Sequence, residues 1–170
     1  FEGVGLHSGK ISKLRILPAK ANSGVIFKRI DLKDRNLIKA FYKNVTSARL
    51  CTTLANEFGT KVSTVEHLLA ALYIAKIDNV LVELNTEEVP IMDGSAKNFL
   101  DIFKKIELKT FSEKKKFLKI LDKIELIDGE RKISLEPNNE SLEVEFQLNY
   151  KNKIIGKQKN KINIDKDDLN

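Results

Sequence analysis

The chain has 170 residues, of which 42% are hydrophobic, and its formal net charge is +6. This length and apolar content predict a soluble globular protein with a substantial core, large enough for one domain or one and a half. No stretch approaches the roughly 18 apolar residues of a membrane-spanning helix, and the single cysteine, Cys51, excludes an internal disulfide and favours the reducing cytoplasm.

The first 62 residues carry the signals of short strands. Residues 11–17, 25–30 and 49–54 are apolar runs separated by Gly, Asn, Asp and Pro. Residues 63–76 then have the apolar spacing of one helical face, so they form the strongest predicted helix. A short buried strand is predicted at residues 80–84.

A second helix is predicted at residues 96–105. The turn at residues 90–94 precedes it and delivers Ser95 as the N-cap. Asp93 in this turn is expected to support the helix rather than to take part in chemistry. The lysine-rich segment 104–119 also contains glutamates, a mixture typical of a solvated linker rather than a nucleic-acid-binding stripe.

Strand signals return after this linker. We predict strands at residues 117–127 and 132–135, and a half-buried antiparallel strand at residues 142–150, where apolar and polar side chains alternate. Residues 164–169 have the pattern of a helix start, but the sequence ends before a helix is complete. We therefore expect the natural protein to continue beyond this point.

The order of the elements predicts an α+β protein with two similar units. The first unit covers residues 1–110, and the second, incomplete unit covers residues 111–170. The spread positive charge favours an anionic partner such as a nucleotide or a phosphate. Because the chain has no Trp and only 7% aromatic residues, it offers little for base stacking, and we expect no nucleic-acid partner.

Glu66 and His67 set a carboxylate beside an imidazole near the start of the first predicted helix. Catalytic zinc uses neutral imidazole ligands and a nearby carboxylate that takes a proton from water. Two simpler interpretations stay open on the local pattern. Ser63 and Glu66 have the spacing of a capping box, and His67 lies in so apolar a helix that it could be a core histidine bonded to the backbone.

Three separated segments occur in a distinctive order and spacing: Gly-Val-Gly-Leu-His-Ser-Gly at residues 3–9, Ser-Thr-Val-Glu-His-Leu at 63–68 and Val-Pro-Ile-Met-Asp-Gly-Ser-Ala at 89–96. Together they resemble the N-terminal half of the UDP-3-O-acyl-N-acetylglucosamine deacetylases, the zinc hydrolases of lipid A biosynthesis. The segment Leu-Cys-Thr at residues 50–52 also fits this family.

The resemblance implies an α+β fold of two domains, a β-α-α-β sandwich of the deacetylase type with zinc at the domain junction. The first domain would be complete and the second truncated. The family removes the N-acetyl group from UDP-3-O-acyl-N-acetylglucosamine, the committed step of lipid A biosynthesis, and we expect a cytoplasmic monomer. His67 matches a zinc ligand, and Glu66 matches the carboxylate that activates water. The residues implied to contact the substrate are His7, Leu50, Cys51 and Thr52.

The sequence departs from the family in one respect. The other zinc ligands and the general-acid histidine of the family lie downstream, and this chain contains none of them. We therefore expect the fragment alone neither to bind zinc tightly nor to turn over substrate. Two alternatives stay open: a local zinc site made by His7, Cys51 and His67, and a non-catalytic basic α+β module that binds a nucleotide-sugar or nucleic acid.

Overall fold

A computed structural model describes residues 1–139 and 141–167. The chain divides into two compact units, the first being Phe1–Lys115 and the second beginning at Lys116. The fold is α+β, and among the described residues both α-helices belong to the first unit. No helix in this part of the chain is both long and apolar enough to cross a membrane.

The first unit contains eight strands and two α-helices within its described residues. In chain order they are β1 Glu2–Val4, β2 Ile11–Pro18, β3 Val25–Arg29, β4 Leu37–Lys39, β5 Val45–Ser47, β6 Thr53–Ala55, β7 Lys61–Val62, α1 Glu66–Ile74, β8 Val80–Leu84 and α2 Lys97–Phe103.

A five-stranded sheet with the order β1-β2-β8-β3-β4 forms the base of this unit. Its central strand β8 pairs antiparallel with β2 and parallel with β3, so that Val82 lies opposite Ile16 on one side and Phe27 on the other. Phe27 and Val82 are fully buried. Strand β8 thus lies in the middle of the sheet with a paired strand at each edge, and its residues Val80, Val82 and Leu84 are buried.

The two helices pack against each other and supply the other half of the core. Leu68, Ala71 and Leu72 are the buried residues of α1, and their spacing places them on one face. The buried residues of α2 are Phe99, Leu100 and Phe103. A separate three-stranded antiparallel sheet, β5-β6-β7, leads the chain into α1.

The second unit consists of two hairpins in its described residues. The strands are β9 Ile124–Asp128, β10 Arg131–Leu135, β11 Glu143–Asn149 and β12 Lys157–Asn163, paired as β9 with β10 and β11 with β12. Strand β11 was predicted to be half-buried, but all seven of its residues are exposed. The reason is that each sheet has only two strands and no helix of this unit's described residues covers it.

Several predicted boundaries are wrong. Residues 49–52 are not a strand, because Leu50 has a left-handed backbone with φ 68° and the strand begins only at Thr53. Residues 117–123 also lack strand structure. Residues 164–166 form a turn, and residues 168 and 169 of the predicted helix start lie outside the described residues.

Candidate functional site

The segment at residues 3–9 forms a tight loop that presents His7. The Gly9 amide donates to the Gly5 carbonyl at 2.9 Å, which closes the turn. The His7 side chain is exposed, whereas Gly5 is buried. The loop thus has its glycine against the protein interior and its histidine toward solvent.

The buried carboxylate of Glu88 anchors this loop from the protein interior. Its Oε1 accepts a hydrogen bond from the His7 amide at 2.9 Å, and its Oε2 accepts one from the Ser8 amide at 2.7 Å. Oε1 also accepts from the Thr64 hydroxyl at 2.9 Å. Glu88 is only 1% exposed, so one buried carboxylate joins the His7 loop to the residue two positions before Glu66.

Burial raises the pKa of Glu88, but the hydrogen bonds that it accepts act in the opposite direction and outweigh burial. The donors are the Ser8 hydroxyl, the amides of His7 and Ser8 and the Thr64 hydroxyl, and together they leave the pKa below its ordinary value. Glu88 is therefore ionised at neutral pH, a state in which both oxygens only accept hydrogen bonds.

Thr64 has a strained backbone. Its φ is 55°, in the left-handed region that a β-branched residue rarely adopts. It is 2% exposed, and its hydroxyl is the group bonded to Glu88. Strain of this kind costs on the order of 1–3 kcal/mol and persists only where the surroundings hold it.

Glu66 is the first residue of α1, and its carboxylate is tied to the segment before β6. The Thr52 amide donates to Oε2 of Glu66 at 3.0 Å. A negative charge in the first turn of a helix is also favoured by the helix dipole. The structure therefore brings Glu66 and Thr52, two of the predicted site residues, into direct contact.

The capping-box interpretation of Ser63 and Glu66 is wrong. The Ser63 hydroxyl donates to the Glu87 carbonyl at 3.2 Å, and its amide donates to the same oxygen at 2.8 Å. Ser63 is thus paired as in a strand and cannot cap α1, whose N-cap is Val65. The carboxylate of Glu66 is therefore free to bond Thr52.

The core interpretation of His67 is also wrong. The side chain is half-buried, and within residues 1–139 and 141–167 its imidazole forms no hydrogen bond to the backbone. Ala71, one turn further along α1, is fully buried. His67 therefore lies at the margin of the core with its ring nitrogens unpaired by the described residues.

The remaining predicted residues border the Thr52–Glu66 contact. Leu50 is 85% exposed in its left-handed turn, and Cys51 is a free, half-buried thiol whose Sγ lies 3.8 Å from Oγ1 of Thr53. No group of three His, Cys, Asp or Glu side chains that could hold a metal occurs in the described part of the chain. The alternative site of His7, Cys51 and His67 is therefore not formed.

Asp93 supports α2 as predicted. Its Oδ1 accepts hydrogen bonds from the Ser95 amide at 3.0 Å and the Ser95 hydroxyl at 2.9 Å, and Oγ of Ser95 accepts from the Lys97 amide at 3.0 Å. These bonds to Ser95 lower the pKa of Asp93. The residue has a structural task and is not a candidate for catalysis.

Sequence reasoning missed Glu88. The structure shows that every second residue from Val80 is buried, through Val82 and Leu84 to Thr86 and Glu88. This alternation continues the inward-facing side of β8 beyond the end of the strand at Leu84. A glutamate at an inward position needs hydrogen-bond donors around it, and such donors come from distant segments that no local pattern reveals.

The sequence matches the family described as LpxC: UDP-3-O-acyl N-acetylglycosamine deacetylase over residues 1–170. Among similar curated proteins, the UDP-3-O-acyl-N-acetylglucosamine deacetylase of Geotalea uraniireducens (strain Rf4) is 39% identical over 93% of this chain and 51% of the relative. The protein of that name from Haemophilus ducreyi is 36% identical over 96% of this chain and 53% of the relative.

A third relative with this name, from Pseudoalteromonas translucida, is 35% identical over 96% of this chain and 54% of its own length. The chain thus spans about half the length of the curated relatives that it matches. The match over all 170 residues covers the His7 loop, the start of α1 and the segment leading to α2. The chain belongs to the UDP-3-O-acyl N-acetylglycosamine deacetylase family.

Proposed function

We propose that the full-length gene product removes the N-acetyl group from UDP-3-O-acyl-N-acetylglucosamine, as the committed step of lipid A biosynthesis. Family membership and the names of the relatives support this activity. The observation that carries it is the pair at the start of α1. The Glu66 carboxylate is fixed by the Thr52 amide at 3.0 Å. His67, beside it, is half-buried, and its ring nitrogens have no hydrogen-bond partner among the described residues.

His67 fits the chemistry of one zinc ligand. The residue is half-buried rather than buried, and in the described part of the chain its ring nitrogens have no competing hydrogen bond. A catalytic zinc needs three protein ligands, and residues 1–139 and 141–167 contain no group of three that could hold it. We infer that the other ligands come from outside the described residues. When bound, zinc would polarise the acetamide carbonyl and favour ionisation of water.

Glu66 would act as the general base. Oε2 of Glu66 is held by the Thr52 amide, whereas Oε1 has no hydrogen-bond partner in the described part of the chain. A fixed carboxylate with one free oxygen can take the proton from the attacking water. Attack on the carbonyl carbon and cleavage of the C–N bond give acetate and a free amine, and the proton for the amine comes from a donor outside the described residues.

The predicted substrate contacts lie where a substrate could reach them. The His7 side chain is exposed on a loop whose amides are anchored, and Leu50 exposes 85% of its surface two residues before the Thr52 amide that holds Glu66. We propose that His7 and the segment formed by Leu50, Cys51 and Thr52 contact the sugar and its acyl chain. The cytoplasmic location stays a prediction.

The test is acetate release by the zinc-loaded full-length protein from UDP-3-O-acyl-N-acetylglucosamine. We expect acetate and free amine in equal amounts, loss of turnover on chelation and recovery when zinc is restored. The 170-residue chain is the matched control, since it carries Glu66 and His67 but no complete ligand set in its described residues, and it should release no acetate.

The proposal would be contradicted by a zinc-loaded full-length protein that releases no acetate from this substrate. Salt-dependent binding of nucleic acid by such a protein would instead favour the basic binding module. Equal acetate release by the 170-residue chain and the full-length protein would contradict the assignment of further ligands to the remaining sequence.

A further inference from the structure

Glu88 is an ionised carboxylate that is almost completely buried and yet forms no ion pair with the described residues. Burying a charge in this way is costly unless several hydrogen bonds replace the lost water. The replacements all come from two segments, the His7–Ser8 loop and Thr64. The hydrogen-bond donors to the Glu88 carboxylate therefore lie in the candidate site, whereas none of them lies in the five-stranded sheet whose strand β8 precedes Glu88 in the chain.

The Thr64 hydrogen bond acts on the backbone that leads into α1. Thr64 is a β-branched residue at φ 55°, two positions before Glu66 and three before His67. The left-handed conformation strains its backbone by about 1–3 kcal/mol. Without a contact that holds it, Thr64 would therefore favour an extended conformation. The bond to Oε1 of Glu88 at 2.9 Å holds the strained form.

We propose that Glu88 is a positioning residue, which fixes the direction of Glu66 and His67 through Thr64 and the place of His7 through the loop amides. This assignment rests on the proposed deacetylase function for its kinetic consequences. The geometry itself, one carboxylate joining both segments, does not depend on the reaction.

Glutamine cannot replace Glu88 in this position, although it has nearly the same shape. Oε1 faces the His7 amide and Oε2 faces the Ser8 amide. Whichever way a glutamine side chain is turned, its NH₂ group points at a backbone N–H, and neither amide can become an acceptor. Glu88→Gln therefore removes at least one bond and places two donors against each other.

The kinetic test uses the full-length protein with Glu88→Gln, and Glu83→Gln as the matched control. Glu83 is also a buried carboxylate, 6% exposed, but its partners are Arg15 and Lys28 on the strands beside β8. We expect Glu88→Gln to lower kcat about 10- to 100-fold, as small misplacements of catalytic groups do, with a smaller effect on KM. Glu83→Gln should lose thermal stability while kcat is unchanged.

A second pair of variants covers the case in which Glu88→Gln does not fold. Thr64→Val keeps the shape and branching but loses the hydroxyl, whereas Thr64→Ser keeps the hydroxyl. We expect Thr64→Val to lose kcat as Glu88→Gln does, and Thr64→Ser to stay much closer to the wild type. Equal kcat in the two Thr64 variants would overturn the role of the Thr64–Glu88 bond.

Hydrogen exchange provides a readout that does not need turnover. In the same full-length protein, Glu88→Gln should accelerate amide exchange at His7 and Ser8, while Glu83→Gln should not. If the wild type shows no deacetylase activity, the proposed function fails and the exchange result still decides the positioning role. Unchanged exchange at both amides, or wild-type kcat in an active Glu88→Gln protein, would overturn the proposal.

Discussion

Gly5 lies directly against the carboxylate that anchors the His7 loop. A Cβ atom added at Gly5 would overlap Oε2 of Glu88 and Oγ of Ser8, and would lie 2.9 Å from the Glu88 Cδ. Since Glu88 is held by several donors, it cannot move without losing them. We predict that Gly5→Ala lowers the free energy of unfolding by roughly 3 kcal/mol, from overpacking plus weakened hydrogen bonds.

Gly59→Ala is the control for this prediction. Gly59 has φ 80°, but a Cβ added there would meet no atom within 4 Å, so alanine should cost only about 1 kcal/mol of backbone strain. Urea denaturation of both variants measures the difference. Equal losses in the two variants would contradict the close packing of Gly5 against Glu88.

At the level of single residues, the sequence predicted which residues form the site better than it predicted the hydrogen bonds that fix them. The family resemblance singled out Glu66, His67 and Thr52, and the structure brings Glu66 and Thr52 together. The capping box failed because Ser63 pairs with the Glu87 carbonyl. Both this pairing and the Glu88 contacts join segments that are distant in sequence, which a local pattern cannot reveal.

Strand β8 carries a buried carboxylate, that of Glu83, which forms ion pairs with cations on the two neighbouring strands. Glu83 lies opposite Arg15 on β2 and Lys28 on β3. Hydrogen bonds from the Arg15 guanidinium and then the Lys28 ammonium hold the pKa of Glu83 below its ordinary value. These bonds join all three central strands of the sheet.

The lowered pKa fixes the sign of a pH effect. A carboxyl whose pKa is lower in the folded state stabilises the fold above its unfolded pKa, and this contribution is lost as the pH falls through the folded value. We predict that Glu83→Gln costs about 1 kcal/mol at neutral pH, since both cations keep access to water. The cost should shrink as the pH falls from neutral through the lowered pKa of Glu83, because wild-type Glu83 then becomes protonated and loses its charge.

Thermal unfolding of the wild type and Glu83→Gln across this pH range measures the effect. A stability difference between the wild type and Glu83→Gln that stays constant from neutral to acid pH would contradict the ion network.

Elements with a strong periodic pattern were predicted well. Strands β2, β3 and β8 and both helices occur where expected, although α1 begins at Glu66 rather than at residue 63 and the N-cap of α2 is Ala96 rather than the predicted Ser95. The late start follows from the left-handed Thr64, a tertiary feature held by Glu88. Strand β12 was missed because Lys157–Asn163 is almost entirely polar, and among the described residues it pairs only with β11.

The two units differ in how much of their apolar surface they bury. The first unit has a continuous core, whereas the hairpins of the second unit expose Leu126 to 67%, Ile133 to 63% and Phe146 to 44%. Isolated two-stranded hairpins are marginally stable in water. We predict that, in the 170-residue chain, amides of β9 to β12 exchange much faster than those of β2, β3 and β8.

Hydrogen-exchange mass spectrometry of the 170-residue chain tests this difference, with the terminal strand β1 as an internal reference for fraying in the first unit. Comparable protection of β11 and β8 would contradict it. The exposure of β11 could not be derived from the sequence, because Leu142, Val144 and Phe146 alternate with polar residues as a half-buried strand would.

The pair at the start of α1 is the centre of the proposed function, with Glu66 as base and His67 as zinc ligand. The direct test measures zinc content and kcat together in full-length Glu66→Gln and His67→Ala proteins. Glu66→Gln should keep its zinc and lose about 10²- to 10⁴-fold in kcat, while His67→Ala should lose zinc. Wild-type kcat in Glu66→Gln, or undiminished zinc in His67→Ala, would contradict this assignment.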